Sequence, residues 1–245
     1  MVQTSFYKNL SMKSGLKKNE SGVTLIELLI VMLISSIILG AIFTISSNHQ
    51  KSYLANDRLT EMQQNLRAAI IIMSREIREA GCDPTGLADA GIILATQGRL
   101  QFTKDMDNNG DTDGTSEEIA FGFSNTNDSG ANGIADGGGA DWSTPADLGR
   151  DVGSGFQPIA ENIEAVEFNY ILSDDTTTTT PSSSQLNDIR AVQISILARA
   201  SSREQNFPVT VTTYKTASGI DWSRPNDNYR RRFISVTIQC RNLGY

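Results

Sequence analysis

From Val23 to Phe43 the chain runs 21 residues with a single charge, Glu27. At 1.5 Å per residue such a run makes a helix long enough to cross a hydrocarbon core of about 30 Å. Lys17 and Lys18 stand just upstream, and the apolar character continues to about Ile45. A carboxylate at that depth costs about 2.5–3.5 kcal/mol on insertion scales, so Glu27 needs a partner and marks a functional position. Two plainer explanations fit less well. An uncleaved anchor has no use for Glu27. A conventional secretory signal is cut after its apolar stretch at a small-x-small sequence, whereas here Gly40-Ala41 is followed by an unbroken helical pattern.

The string Gly22-Val23-Thr24-Leu25-Ile26-Glu27-Leu28-Leu29-Ile30, behind a basic leader and opening an apolar helix, resembles the type IV prepilin processing site. The resemblance implies cleavage by the prepilin peptidase after Gly22 and N-methylation of the new first residue, Val23. It makes Glu27 the fifth mature residue, with a role in assembly. Val23 departs from the bulkier Phe usual there. The remainder more loosely resembles the large minor pilins of the PilW class and their relatives, the type II secretion pseudopilins.

Charge supports an exported body. The formal net charge is −7. The leader to Gly22 holds four Lys and one Glu, +3, which leaves the rest of the chain at −10. A basic leader before an acidic remainder follows the positive-inside rule, and the acidity argues against a broad nucleic-acid surface. Residues 1–22 read as leader, with Met12 as an alternative start; 23–50 as a transmembrane and filament-core helix; 51–82 as its amphipathic continuation; and 83–245 as a β-rich head.

No Pro occurs before Pro84, so one helix is expected from 23 to about 80. In its second half Leu59, Met62, Leu66, Ala69, Ile70, Met73, Ile77 and Ala80 recur at steps of three and four, a stripe that must bury against something. Arg58, Glu61, Arg67, Arg75, Glu76 and Glu79 read as a charged surround, and Gly81 and Pro84 end the helix. Period-2 patterns predict strands at Gly98–Asp105, Glu117–Ser124, Ile163–Leu172, Ile189–Arg199, Val209–Tyr214 and Phe233–Cys240, in antiparallel sheets with one face inward. Asn125–Gly155 and Ser173–Ser184 read as loose surface loops. The predicted fold class is therefore α+β, a long N-terminal helix packed on an antiparallel β-rich head.

Oxygen side chains recur at every second position through Asp105, Asp107, Asn109, Asp111 and Asp113, with Gly110 at the turn. Such spacing suits calcium, a hard ion taking six to eight oxygens, with Glu117 as a further ligand one residue later than in an EF-hand loop. The alternative is an acidic turn. Cys82 and Cys240 fit no metal spacing. In an oxidising compartment they are a candidate disulfide, and otherwise two buried thiols. Catalysis has little support, since the single histidine, His49, has no Cys or Asp companion nearby. Arg230, Arg231 and Arg232, with Arg224 and Arg241, form a basic stretch, better read as flanking a strand or docking an acidic subunit than as reading DNA.

The expectation is thus a structural minor pilin, not an enzyme. It would join an initiating or tip complex through its N-terminal helix, sitting in the bacterial inner membrane with its head in the periplasm before reaching the filament. The alternatives are a type II secretion pseudopilin and a membrane-anchored adhesin or DNA-binding pilus component.

Overall fold

One helix, α1, runs from Leu25 to Glu79 and leads into an antiparallel β-rich body. The computed structural model describes residues 22–114, 116–204, 212–224 and 227–243. Residues 1–21 of the expected leader, with Lys17, Lys18 and Met12, lie outside the described residues, as do 209–211 of one predicted strand. By contact density the chain divides into two units, residues 1–51 and 52–245.

In the first unit α1 exposes its apolar side chains all round, and the helix is long and apolar enough to cross a membrane. In the second unit the stripe behaves as its spacing dictates. Met62, Leu66, Ala69, Met73, Ile77 and Ala80 are buried in one core cluster with Phe102, Phe121, Phe168 and Ile194 from the strands. Gly81 ends α1 in the left-handed region, φ 73°. Its N–H donates to Thr103 O at 3.0 Å, and a Cβ there would lie 2.3 Å from Leu243 Cδ2.

The strands are β1 (Ile92–Ala95), β2 (Arg99–Thr103), β3 (Glu118–Gly122), β4 (Ala146–Asp151), β5 (Gln157–Leu172), β6 (Thr177–Thr178), β7 (Ile189–Arg199), β8 (Thr212–Lys215), β9 (Asp221–Arg224) and β10 (Arg231–Gln239), with a 3₁₀ turn at Ser183–Asp188. Among the described residues the main sheet is ordered β1-β2-β3-β4-β5-β7-β10, with β6 beside β5, and every pairing is antiparallel. A separate hairpin pairs β8 with β9.

Four expectations need correction. First, residues 125–155 are not a loose loop. They contain β4, and Asp128 and Asp136 are buried within them. Asp128 accepts from the backbone N–H of Asn132 and Gly133, at 3.1 and 2.8 Å, and Asp136 accepts from the Ser129 N–H and hydroxyl. These bonds fold the polar stretch onto β5, where Val166 N–H donates to Gly133 O at 2.8 Å. Second, residues 173–184 are not wholly loop, since β6 and the start of the 3₁₀ turn lie there. Third, β5 buries both faces. Val166, Phe168 and Tyr170 face α1, while Ala165 and Glu167 are equally buried, because β8–β9 covers the other side: Ser218 N–H and hydroxyl donate to Glu167, and Ala217 N–H donates to Ser195 Oγ. Fourth, Glu76 does not belong to the charged surround. It is buried on α1 and accepts from Arg150 Nε of β4 at 2.7 Å.

Two substitutions test this packing by thermal unfolding of the full chain in detergent. At Gly133, φ is 78° and a Cβ would lie 2.0 Å from Val166 O. Gly133→Ala is therefore expected to lose about 3 kcal/mol, from backbone strain plus displacement of β5. Glu76→Ala leaves Arg150 half-buried without its carboxylate and is expected to cost about 2 kcal/mol. A melting temperature unchanged in either variant contradicts the corresponding contact.

Candidate functional site

The N-terminal site begins with Gly22-Val23, outside any helix or strand, and turns helical at Leu25. Val23 is exposed, and a Cβ on Gly22 would meet nothing within 4 Å among the described residues. The chain's own packing therefore does not require a glycine there. Thr24 and Glu27 bond reciprocally: Thr24 N–H and Oγ1–H donate to Glu27 Oε2, both at 3.1 Å, and Glu27 N–H donates to Thr24 Oγ1 at 3.3 Å. This is a capping box, in which two otherwise unpaired N–H groups at a helix start find side-chain acceptors. It was legible as Thr-x-x-Glu before an apolar run, a signal overshadowed by the bare charge of Glu27. Both contacts use Oε2, and among the described residues Oε1 takes no partner.

The acidic loop between β2 and β3 is folded by its own carboxylates. Asp105 accepts from Asn108 N–H at 2.6 Å and Gly110 N–H at 3.2 Å. Asp107 accepts from Asn109 N–H, Asn109 from Asp111 N–H, and Asp111 from Asp113 N–H. Glu117 closes the loop, accepting from Met106 N–H at 2.9 Å and Gly114 N–H at 2.8 Å. One carboxylate oxygen each from Asp105, Asp107 and Glu117 lie within 4.8 Å of one another; Asp111 and Asp113 stand outside that group. Hydrogen bonds with Asp113 hold the Asp111 carboxyl below its ordinary pKa, while the bond to Asp111 and the surrounding negative charge raise that of Asp113. The loop thus converges negative charge on a small volume, and the displaced Glu117 reaches it.

Of the two readings of the cysteines, disulfide or separate thiols, the structure holds the second. Cys82 and Cys240 are both free thiols. Cys240 points into the core cluster, where burial pushes its thiol up to about 12. Cys82 instead lines a surface groove beside Arg241 and Asn242, so the two side chains serve different surroundings.

The arginines at the C-terminal end do not form one surface. Arg231 is buried against Glu164, with Nε 2.6 Å from Oε2, and donates to Asp227 as well. Burial works against its charge, but these bonds prevail and keep it firmly protonated. Arg224 and Arg199 also approach Glu164, at 3.3 and 3.5 Å, and Arg224 lies 4.5 Å from the centre of the Trp142 ring. Arg230 pairs with Glu204. Arg232 and Arg241 remain exposed. His49 is an exposed residue of α1.

Comparison with known proteins finds similarity in two regions of the chain. Residues 17–43 match the prokaryotic N-terminal methylation motif, and residues 144–242 match Type IV Pilus-assembly protein W. No curated protein sequence matches. A solved structure, a type IV-like pilin from Thermus thermophilus, is similar at 18% identity with a TM-score of 0.43, covering 74% of this chain and 97% of that one. The chain is thus similar to type IV prepilins at the start of its apolar helix and to pilus-assembly protein W over the region from β4 to β10.

Proposed function

We propose that this chain is a minor structural subunit that enters an initiating or tip complex and supports type IV pilus assembly, with no catalytic role. The observation that carries this reading is the site at 22–27: an exposed Gly22-Val23 bond, then a helix whose only charge over its apolar length is capped at its first turn. Cleavage after Gly22 by the prepilin peptidase would free the α-amine of Val23, which is then methylated. The apolar half of α1 holds the subunit in the inner membrane, with the head in the periplasm. In the filament the same half packs against like helices, and Glu27 accepts the cationic amine of a neighbouring subunit. An ion pair in an apolar core is tolerated when both charges are matched and costly when one is left alone, so the pair selects the correct axial offset. The free Oε1 leaves room for that amine without breaking the cap.

Two substitutions separate cap from charge. Glu27→Gln keeps an acceptor for Thr24 but removes the negative charge, whereas Glu27→Ala removes both. Both are expected to insert and to be cleaved normally, giving an intact mass that begins at N-methyl-Val23. Both are expected to enter filaments at least about tenfold less than the parent chain, as about 1.4 kcal/mol of lost pairing requires. Filament content of Glu27→Gln equal to the parent would reduce Glu27 to a helix cap.

For the acidic loop we propose a structural calcium ion held by Asp105, Asp107 and Glu117, with Asn109, Asp111 and Asp113 as further oxygen donors. The convergent carboxylates support it, since calcium neutralises charge that the loop otherwise concentrates. A bound ion stabilises by about 2.7 kcal/mol at a hundred times its dissociation constant. The full chain in detergent is therefore expected to melt at higher temperature with calcium than with a chelator, and Asp105→Asn with Glu117→Gln should abolish the difference. Identical melting of the parent chain in both conditions overturns the proposal.

A further inference from the structure

β10 closes one edge of the main sheet, and among the described residues no strand lies beyond it. Ala200 N–H donates to Arg230 O at 2.8 Å and Cys240 N–H to Arg190 O at 2.9 Å, and the β10–β7 register between them has no bulge. In an antiparallel ladder, bonded and non-bonded pairs alternate. The even-numbered residues of β10 therefore bond to β7. Arg231, Phe233, Ser235, Thr237 and Gln239 direct their backbone N–H and C=O outward. Among the described residues no strand pairs with them. A free edge of this length is a template for another strand.

A groove runs beside that edge, between β10 and α1. One part, of about 210 Å³, is lined by Leu66, Arg67, Ile70, Ile71, Arg232 and Ile234, with Gln63 at its margin. A second, of about 610 Å³, shares Ile70 and Ile71 and continues past Arg75 and Arg78 to Arg241. Its floor is apolar, and Ile71 is 61% exposed although it lies off the buried stripe. Its rim is basic in a chain whose body is acidic. Glu76 is taken by Arg150, and Glu79 by Lys104 at 2.7 Å. Among the described residues Arg67, Arg78, Arg232 and Arg241 make no salt bridge.

We infer that β10 and this groove dock an acidic, extended segment of a different filament subunit, which adds to the sheet as a further strand. Main-chain bonds to the odd-numbered residues supply affinity. Alternate side chains of the incoming strand turn toward α1, where apolar ones meet Ile70, Ile71 and Ile234 and acidic ones meet Arg67, Arg232 and Arg241. Among the described residues a second copy of this chain does not offer such a segment. Its other sheet edge, β1, reads Ile-Ile-Leu-Ala without a charge, and its Asp-rich loop is held folded by its own backbone bonds. The inference rests on the filament reading proposed above and names the surface through which the head takes part.

The test uses the full chain in its own cells, with a photo-cross-linker placed at the outward edge by Thr237→p-benzoylphenylalanine. The expected adduct is a peptide rich in Asp and Glu from another pilin subunit, identified by its sequence. Its yield should fall about tenfold in Arg67→Glu/Arg232→Glu/Arg241→Glu, and fall with added salt, because exposed charge pairs are screened. Thr237→Pro in the parent chain removes one outward donor without breaking a bond to β7 and should lower capture of that subunit, read by a cross-linker at Gln239. Cleavage after Gly22 and the melting temperature are expected to stay at parental values in all variants. No adduct, an adduct with lipid or with a second copy, or a yield insensitive to charge reversal each overturns the inference. Filament content of the unmodified chain, measured in the same cells, tells the two failures apart. A chain present in filaments without the adduct loses only the β10 surface, and a chain absent from filaments loses the filament reading and this inference with it.

Discussion

Everything in the larger unit depends on covering one stripe of α1. A helix with Met62, Leu66, Ala69, Met73 and Ile77 in line cannot stand alone in water, and the main sheet is the surface that covers it. The first half of α1 has no stripe, because it is apolar all round and calls for lipid or other helices as its solvent. The same helix thus meets two environments by two patterns of side chains, with no break in its backbone bonding.

The two glutamates of α1 that matter most show how a carboxylate survives in apolar company. Glu76 is buried opposite Arg150 of β4, in a pair that fixes where a strand from a polar stretch must lie. Among the described residues Glu27 turns to its own helix start, through Thr24. One is matched by a cation of a distant strand and the other by the hydroxyl and N–H of its own helix start. Glu164 is the extreme of the first kind, with three guanidinium groups around it.

Local period explains what could be read from the amino-acid sequence. The limits of α1 agree to within two residues, because a 3.6-residue stripe and Gly81 act locally. The residues of β7, Ile189–Arg199, agree at both ends because Val192, Ile194, Ile196 and Ala198 keep one face apolar along the strand. β4 escaped, since Ala-Asp-Leu-Gly-Arg-Asp alternates poorly and sits in a stretch rich in Gly, Asp and Ser. Its place is decided by Arg150 reaching Glu76 across 74 residues, which no local window contains. The outer face of β5 was unreadable for the same reason: Glu167 is polar in sequence and buried in fact, because Ser218 satisfies it from a distant hairpin. The acidic loop was legible in its ligand-like spacing and in Glu117, while the free state of Cys82 and Cys240 depended on side-chain directions that spacing does not encode.

The end of α1 is held from the far end of the chain. Arg241 N–H donates to Arg78 O, and Asn242 reaches the same carbonyl across 164 residues. Leu243 fills the space over Gly81. The residues that close its last turn leave the ribosome well after the helix, with 164 residues between Arg78 and Asn242. The stripe of α1 must therefore wait until the strands that pack on it have been made. A topology so weighted toward distant partners folds slowly and needs protection while it waits.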